Sequence, residues 1–410
     1  MKFINKISRF HIKINLLDLF NYINFNKNNY FLFVSKIQRL FKLKNFFLVS
    51  QGRVGLYLIL QLIKKKFTKE KIILMSPYTL TEVINCIYYS GFKIKFIDID
   101  ITTGLPEYKK LEKEIKSRKI SAVLLTHLFT KKKDFIKIKN LLNKTKVLLI
   151  NDHAINLGSK FNNKLFGTES DYSFYSFNYQ KNLSTINGGM VTCKNKKDFN
   201  QLEKINKNLI ESSTQFYIKK VVYLIILSNF LCNKYIYNFF TFAIFKNFLY
   251  KHKYLSKLIY PNYGKKINMK ITHDYNFKFN KKLSYFGLKS INSFTKRQRH
   301  RIKVSNRYVK IFDKFDFIND ISINTLSTKL EYPVLVKKDL KKKLIKYLFN
   351  NGFEIRAYWY SNPLKINSYK NCNLLQQSII CFPTHEKINN SYLQLLEKSL
   401  SKFDFLYNKK

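Results

Sequence analysis

Short apolar runs alternate with longer amphipathic stretches over the first half of the chain. FFLVS is followed by a helical period over Val54 to Lys66, KIILM by Thr81 to Tyr89, KIKFIDID by Glu107 to Lys116 and ISAVLLTH by Asp134 to Leu142, and the series ends on KVLLIND. Strand-length runs separated by helical periods predict βαβ units, because parallel neighbours need a crossover connection and its helices then cover both sheet faces. The predicted fold class is α/β: a large domain with a mainly parallel sheet flanked by helices, plus a smaller C-terminal α+β domain. The first forty-five or so residues carry no such alternation and read as irregular.

From Asp171 to Cys193 the texture changes to the short segments YSFYSF and GGMVTC, which read as strands turning back on one another without a full helix between them. A long helical segment begins near Lys197. Near the end, EYPVLV, a helix from Asp339 to Asn350, FEIRAYW, SIICFPTH and a helix from Asn390 to Phe403 make the second α+β unit. Residues 1–265 are therefore read as the large domain, with an apolar insertion at about 213–262, and residues 266–410 as a helical hinge and the small domain. Two units are also what length requires, since single cores stop growing near ~250–300 residues and this chain has 410.

Residues 216–250 form the most apolar stretch. Lys234 and several asparagines interrupt it before any uncharged run reaches the length of a membrane-spanning helix. Its lysines and aromatic residues suit an interfacial segment. A pair of buried or dimer-interface helices satisfies the same pattern.

Charge changes the picture less than its size implies. A formal net charge of +50 would ordinarily point to a polyanion. However, Lys, Asn, Ile, Phe and Tyr are all abundant while Trp, Pro and Gly are scarce, as an A/T-rich coding sequence produces on any fold. The lysines are scattered, at Lys64 to Lys66, Lys131 to Lys133 and Lys341 to Lys343, with no basic stripe interleaved with stacking aromatics, so nucleic-acid binding is not expected. Five cysteines without a C-x-x-C pair or a histidine at ligand spacing give neither a disulfide framework nor a metal site. The N-terminus lacks the apolar core and cleavage site of a signal peptide. The expected location is the cytoplasm, with a peripheral contact at the inner face of the membrane through 216–250 as the alternative to a fully solvated protein.

Candidate chemistry lies in two clusters. Asn151-Asp152-His153-Ala154 directly follows KVLLI, and a carboxylate at the C-terminal end of a buried parallel strand faces the crevice where α/β proteins hold ligands. Its desolvation makes sense opposite a cation; an ordinary turn or N-cap aspartate is the competing reading. Some thirty residues later comes SFYSFNYQKNLSTINGGM, with Ser176, Lys181 and the pair Gly188-Gly189. A lysine between strands, with hydroxyl and amide neighbours and no carboxylate close in sequence, can lose its proton and act as an amine nucleophile. The competing reading is a solvated surface lysine.

These segments together resemble the DegT family of pyridoxal-phosphate-dependent sugar-nucleotide aminotransferases, which have the fold type I aminotransferase architecture. Ser50-Gln51-Gly52-Arg53-Val54-Gly55-Leu56 resembles the family's small-residue loop opening a helix, and Pro77-Tyr78-Thr79 its cofactor-proximal loop. FIDID, THLF, NDHAINLG, SFYSFNYQK, NGGM, Asn276-Phe277-Lys278 with Gly287, EYPVLV and CFPTHEKI follow in register.

The resemblance implies pyridoxal 5'-phosphate as cofactor, with Lys181 as the lysine bonded to it and Asp152 as the partner of its pyridine nitrogen. It further implies phosphate contacts from Gly52, Arg53 and Val54 at a helix start, from the Ser176 hydroxyl, and from Asn276 of the other subunit of a homodimer with shared active sites. Ile155 falls beside the cofactor ring, where the family usually has Gln or His. Leu80, Lys278 and Asn187 also depart from the usual aromatic, Arg and Glu. His127 reads as a packed imidazole, and no catalytic role is assigned to it or to His153. The implied reaction moves an amino group, with glutamate as donor, to a nucleotide-linked keto sugar in cell-surface polysaccharide biosynthesis; Lys181 argues against the branch that carries His and removes oxygen from the sugar. A catalytically weakened member acting as a membrane-associated scaffold in polysaccharide assembly is the alternative.

Overall fold

The computed structural model describes residues 6–9, 11, 13–67, 71–117, 119–248, 267, 272–357 and 368–407. The first elements are two helices, α1 (Leu16–Ile23) and α2 (Asn28–Phe41), where the sequence reads as irregular. The signal that sets α1 is a capping box, in which Asn15 and Asp18 exchange side-chain and backbone hydrogen bonds. The helix then depends on distant partners: Asp18 accepts from Lys289 and from the Tyr285 hydroxyl. Of its eight residues only Asp18 and Tyr22 are buried, while the apolar Leu16, Leu17 and Phe20 stay more than 60% exposed.

The predicted alternation follows: β1 (Phe46–Val49), α3 (Gly52–Lys66), β2 (Ile72–Met75), α4 (Thr81–Tyr89), β3 (Lys93–Phe96), α5 (Tyr108–Ser117), β4 (Ala122–Thr126), α6 (Lys132–Leu142) and β5 (Leu148–Asp152). A small hairpin, β6 (Lys160–Phe161) and β7 (Lys164–Leu165), precedes β8 (Tyr172–Ser176) and β9 (Gly189–Cys193). The seven-stranded sheet has the order β1-β9-β8-β5-β4-β2-β3. Its pairs are parallel from β8 through β5, β4 and β2 to β3, whereas β9 runs antiparallel to both β1 and β8. Hence β1, β4, β5 and β8 all end on the same edge. All five residues of β4 are buried, as expected for a strand covered on both faces.

Next come α7 (Lys196–Lys207), capped by the Asn195 side chain, and the apolar insertion. The insertion opens with α8 (Thr214–Ile226), which continues in a wider turn over Leu227–Leu231, and proceeds through α9 (Lys234–Ile236) and a second wide turn, Tyr237–Thr241, into α10 (Phe242–Phe248). Among the described residues no single helix is long and apolar enough to cross a membrane; Thr214–Leu231 and Lys234–Ile244 pass that test only as a pair bent by 64°. The end of the insertion expected at 249–262 and the domain junction expected at 265/266 lie outside the described residues.

Two further helices, α11 (Ser284–Asn292) and α12 (Phe294–Phe312), lead to a three-stranded antiparallel sheet of β10 (Ile318–Asn319), β11 (Glu331–Val336) and, after α13 (Lys338–Asn350) and α14 (Lys370–Ser378), β12 (Ile379–Pro383). The chain closes on α15 (Asn390–Tyr407). Val304 and Tyr308 of α12, Leu344 and Leu348 of α13, and Leu396 and Leu400 of α15 share one core with Val334 and Phe382 of this sheet. The described residues of FEIRAYW, which reads as a strand, form isolated bridges instead: Phe353 pairs with Ile7, and Arg356 and Cys381 exchange backbone hydrogen bonds of 3.0 and 2.9 Å.

Candidate active site

The edge where β1, β4, β5 and β8 end carries the predicted residues. Asp152 is the last residue of β5 and is 4% exposed. The Ala154 N–H donates to its Oδ1 at 2.9 Å, and the His127 N–H donates to its main-chain carbonyl at 3.2 Å. Burial pushes the Asp152 carboxyl up to about 6, against the opposing pull of the Ala154 N–H and of Lys181.

Lys181 sits in the loop between β8 and β9, with its N–H bonded to the Asn178 carbonyl. Burial pulls its ammonium down to about 8; Asp152 and Glu331 favour the charged form, and Arg356 opposes it. The two groups therefore act on each other, yet no ion pair within 4.0 Å joins them among the described residues. Lys181 lines a cavity of about 260 Å³ together with Ile155, which is also predicted for the site. Desolvation dominates at Lys181, although part of the side chain is accessible, because it faces this cavity.

Gly52 opens α3 directly against the end of β8: a Cβ there would lie 3.3 Å from the Tyr175 carbonyl and 3.4 Å from Ser176 Cβ. Gly189, paired with Ser176 across the β8–β9 ladder, has no room for a Cβ either, since one would lie 2.8 Å from the Gly52 nitrogen and 2.6 Å from the Tyr175 carbonyl. The structure thus brings Gly52, Ser176 and Gly189 together. Val54 N–H already donates to the Gln51 carbonyl at 3.1 Å. The Arg53 side chain turns away to pair with Asp274 and lies over the Tyr275 ring, 5.6 Å from its centroid, so only its main chain faces the helix start. Asn276, exposed in a short 3₁₀ turn, accepts from the Ile210 N–H at 2.9 Å and is not among the residues lining the cavity beside Lys181.

His127 and His153 stack with ring centroids 4.6 Å apart and an interplanar angle of 10°. Burial pulls His127 down to about 4 and His153 well below the ordinary imidazole range, so both are neutral packing groups. His127 also exchanges a hydrogen bond of 3.0 Å with the Thr130 hydroxyl, in keeping with the packed imidazole expected from the sequence.

Several cavity residues carry no local sequence signal. Arg9, from the segment that reads as irregular, pairs with Glu331 at 3.5 Å and with Glu354 at 3.7 Å. Arg356 pairs with the other oxygen of Glu331 at 3.2 Å. Arg9 and Glu331 are 322 residues apart in sequence, and only the folded chain brings them to one wall. What distinguishes them in sequence is charge within or beside otherwise apolar runs, as in EYPVLV.

A sequence profile of the DegT/DnrJ/EryC1/StrS aminotransferase family matches residues 26–233. A UDP-4-amino-4,6-dideoxy-N-acetyl-beta-L-altrosamine transaminase of Campylobacter jejuni is 35% identical over 130 residues, which is 31% of this chain and 34% of that protein. The matched stretch thus spans about a third of that relative's length. The structure of the Helicobacter pylori aminotransferase PseC, involved in the biosynthesis of pseudoaminic acid, superposes with a TM-score of 0.71 at 17% identity, over 99% of this chain and 100% of that one. The Escherichia coli GDP-4-keto-6-deoxy-D-mannose-3-dehydratase, solved with bound hydrated pyridoxal phosphate, gives 0.71 at 16% identity over 98% and 99%. At these identities the structural likeness is one of fold.

Proposed function

We propose that this chain, which belongs to the DegT/DnrJ/EryC1/StrS aminotransferase family, transfers an amino group, with glutamate as donor, to a keto sugar carried on a nucleotide. The observation that carries this reading is the convergence of a desolvated amine, Lys181, and a buried carboxylate, Asp152, on one strand edge, where each feels the other's charge. The residues present fit pyridoxal 5'-phosphate. Gly52 and Gly189 let the start of α3 close directly on the end of β8, which sets Gly52 beside Ser176, and the buried Ser50 hydroxyl next to it has no hydrogen-bond partner among the described residues.

When bound, pyridoxal phosphate supplies a carbonyl carbon that captures amines and a protonated pyridine that accepts the electrons of a carbanion. Lys181 would hold the group through Nζ and move a proton at the donor carbon, roles that need an ammonium easily emptied and refilled near neutral pH. Asp152 would face the ring nitrogen and favour its protonated form; its position at the end of a buried strand keeps competing water away. The Gly52 and Arg53 N–H groups at the start of α3 and the Ser176 hydroxyl would hold the phosphate, with Val54 completing that turn. Ile155 packs beside the ring. Asn276 serves the neighbouring subunit's cofactor in a twofold dimer, in keeping with its exposure outside this chain's own cavity.

The basic wall of Arg9, Arg356, Arg297 and Arg301 suits a ligand that carries phosphates and carboxylates. The names of the relatives place such products among amino sugars linked to nucleotides, which fits a role in cell-surface polysaccharide biosynthesis in the cytoplasm. A second reading has an observation of its own: Phe216, Phe230, Phe239 and Phe240 of the insertion are 58–68% exposed, a face suited to peripheral contact with the inner surface of a membrane. That contact is compatible with either an active enzyme or a scaffold.

Purified protein loaded with pyridoxal phosphate is expected to show a visible absorbance band that bleaches when glutamate is added, and Lys181→Ala is expected to lose both the band and turnover. A colourless wild-type protein, or a Lys181→Ala variant that transaminates normally, defeats the proposal.

A further inference from the structure

The insertion delivers a charge to the place where the phosphate reading needs one. Lys220 lies on α8, and its Nζ donates to Asn187 Oδ1 at 2.8 Å. Asn187 Nδ2 in turn donates to the Ser50 carbonyl at 3.0 Å. Ser50 and Gln51 lead into α3, whose first residue packs on Ser176, and Gly189, two positions after Asn187, abuts the Gly52 nitrogen. Lys220 therefore stands one side chain away from the junction of β1, β8, β9 and α3.

Its charge is not balanced there. Arg53 and Gln51 both engage Asp274. Among the described residues Lys220 meets a neutral amide oxygen, and the charged group acting on it is the like-charged Arg53. Burial, aided by Arg53, pulls its ammonium down to about 8. A lysine placed for structural pairing would face a carboxylate, and Asn187 offers none. A desolvated cation without a counter-charge favours an anion beside it.

We propose that Lys220 is a phosphate-binding residue, an ammonium that the insertion supplies to the cofactor's phosphate next to Gly52, Arg53 and Ser176. This rests on the reading that the chain binds pyridoxal phosphate, and it gives the insertion a task inside the active site that is independent of any membrane contact.

Titrating the apo protein with pyridoxal phosphate and, separately, with pyridoxal, which lacks the phosphate, yields two dissociation constants and their ratio. Lys220→Met is expected to weaken the phosphorylated ligand roughly 10–100-fold, the loss of one charge-assisted hydrogen bond to an anion, and to leave pyridoxal unchanged. Lys220→Arg keeps the charge and should recover most of the loss. Asn187→Asp sets a carboxylate against Lys220 and should lower the preference for the phosphorylated ligand in the same direction. An equal loss for both ligands in Lys220→Met marks a structural role and overturns the assignment, as does a ratio unchanged in both variants. If Lys220→Met does not fold, Lys220→Gln, read for the same ratio, decides. Wild-type protein that binds neither ligand overturns the cofactor reading and this one together; wild-type protein that binds both with an unaltered ratio in the variants removes only Lys220.

Discussion

At Lys181 two forces compete over one proton. Asp152 and Glu331 stabilise the ammonium, while burial and Arg356 favour the neutral amine, and the balance brings it down to about 8 from an ordinary 10.5. For a nucleophile the sign matters: only the deprotonated amine attacks. With a value near 8, about half of the lysines are reactive at pH 8, against less than about 1% for an unperturbed side chain. The apo protein is therefore expected to combine with pyridoxal phosphate at a rate that climbs with pH to a midpoint near 8. In Asp152→Asn, removing a carboxylate that favours the ammonium should move that midpoint lower. Stopped-flow absorbance over pH 6–11 tests both statements. A midpoint near 10, or one that rises in Asp152→Asn, contradicts this balance of forces.

At the scale of elements, the strand and helix alternation was legible because each βα unit declares itself within about twenty residues: β4 is apolar throughout, and α4 runs over Thr81–Tyr89 as its periodicity predicts. Lys181 and Asp152 stand out in the sequence for the same reason, since each lies in a local motif next to a strand end. What was not legible depends on distance. Helix α1 is held by Lys289 and Tyr285, and Arg9 beside the cavity pairs with Glu331 and Glu354; no sequence window contains both partners. Lys220 was hidden differently, as one lysine among many on a helix whose apolar content drew attention to membranes. The junction of α3 with β8 and β9 is closely packed, and its tolerance is small. Gly189→Ala sets a methyl against two backbone atoms that cannot turn aside. It is expected to destabilise the protein by about 1–3 kcal/mol, typical of overpacking, and to weaken cofactor binding as Gly52 is pushed from Ser176. Thermal melts with and without pyridoxal phosphate measure both; a variant with wild-type melting and wild-type affinity shows that the junction is more pliant than this contact implies.

For the molecule as a whole, the question is where Asn276 acts. In the single chain it is exposed and absent from the cavity that Lys181 lines, which is the placement a residue needs if it completes a neighbour's site. A site made of Lys181 from one chain and Asn276 from the other has a consequence that a self-contained site lacks. Lys181→Ala and Asn276→Ala protomers, each impaired alone at limiting cofactor, should complement when mixed. In a dimer of one of each, one site carries both defects and the other is wild type. Random exchange makes half the dimers mixed, so about a quarter of all sites regain full activity. The exchange is best driven at physiological salt, where the Debye length is about 8 Å and repulsion between two chains of net charge +50 is damped. Activity of the mixture no greater than the mean of the two variants, or a sedimentation profile of monomer under assay conditions, places the phosphate contact within a single chain and leaves Lys220 and the start of α3 to hold it unaided.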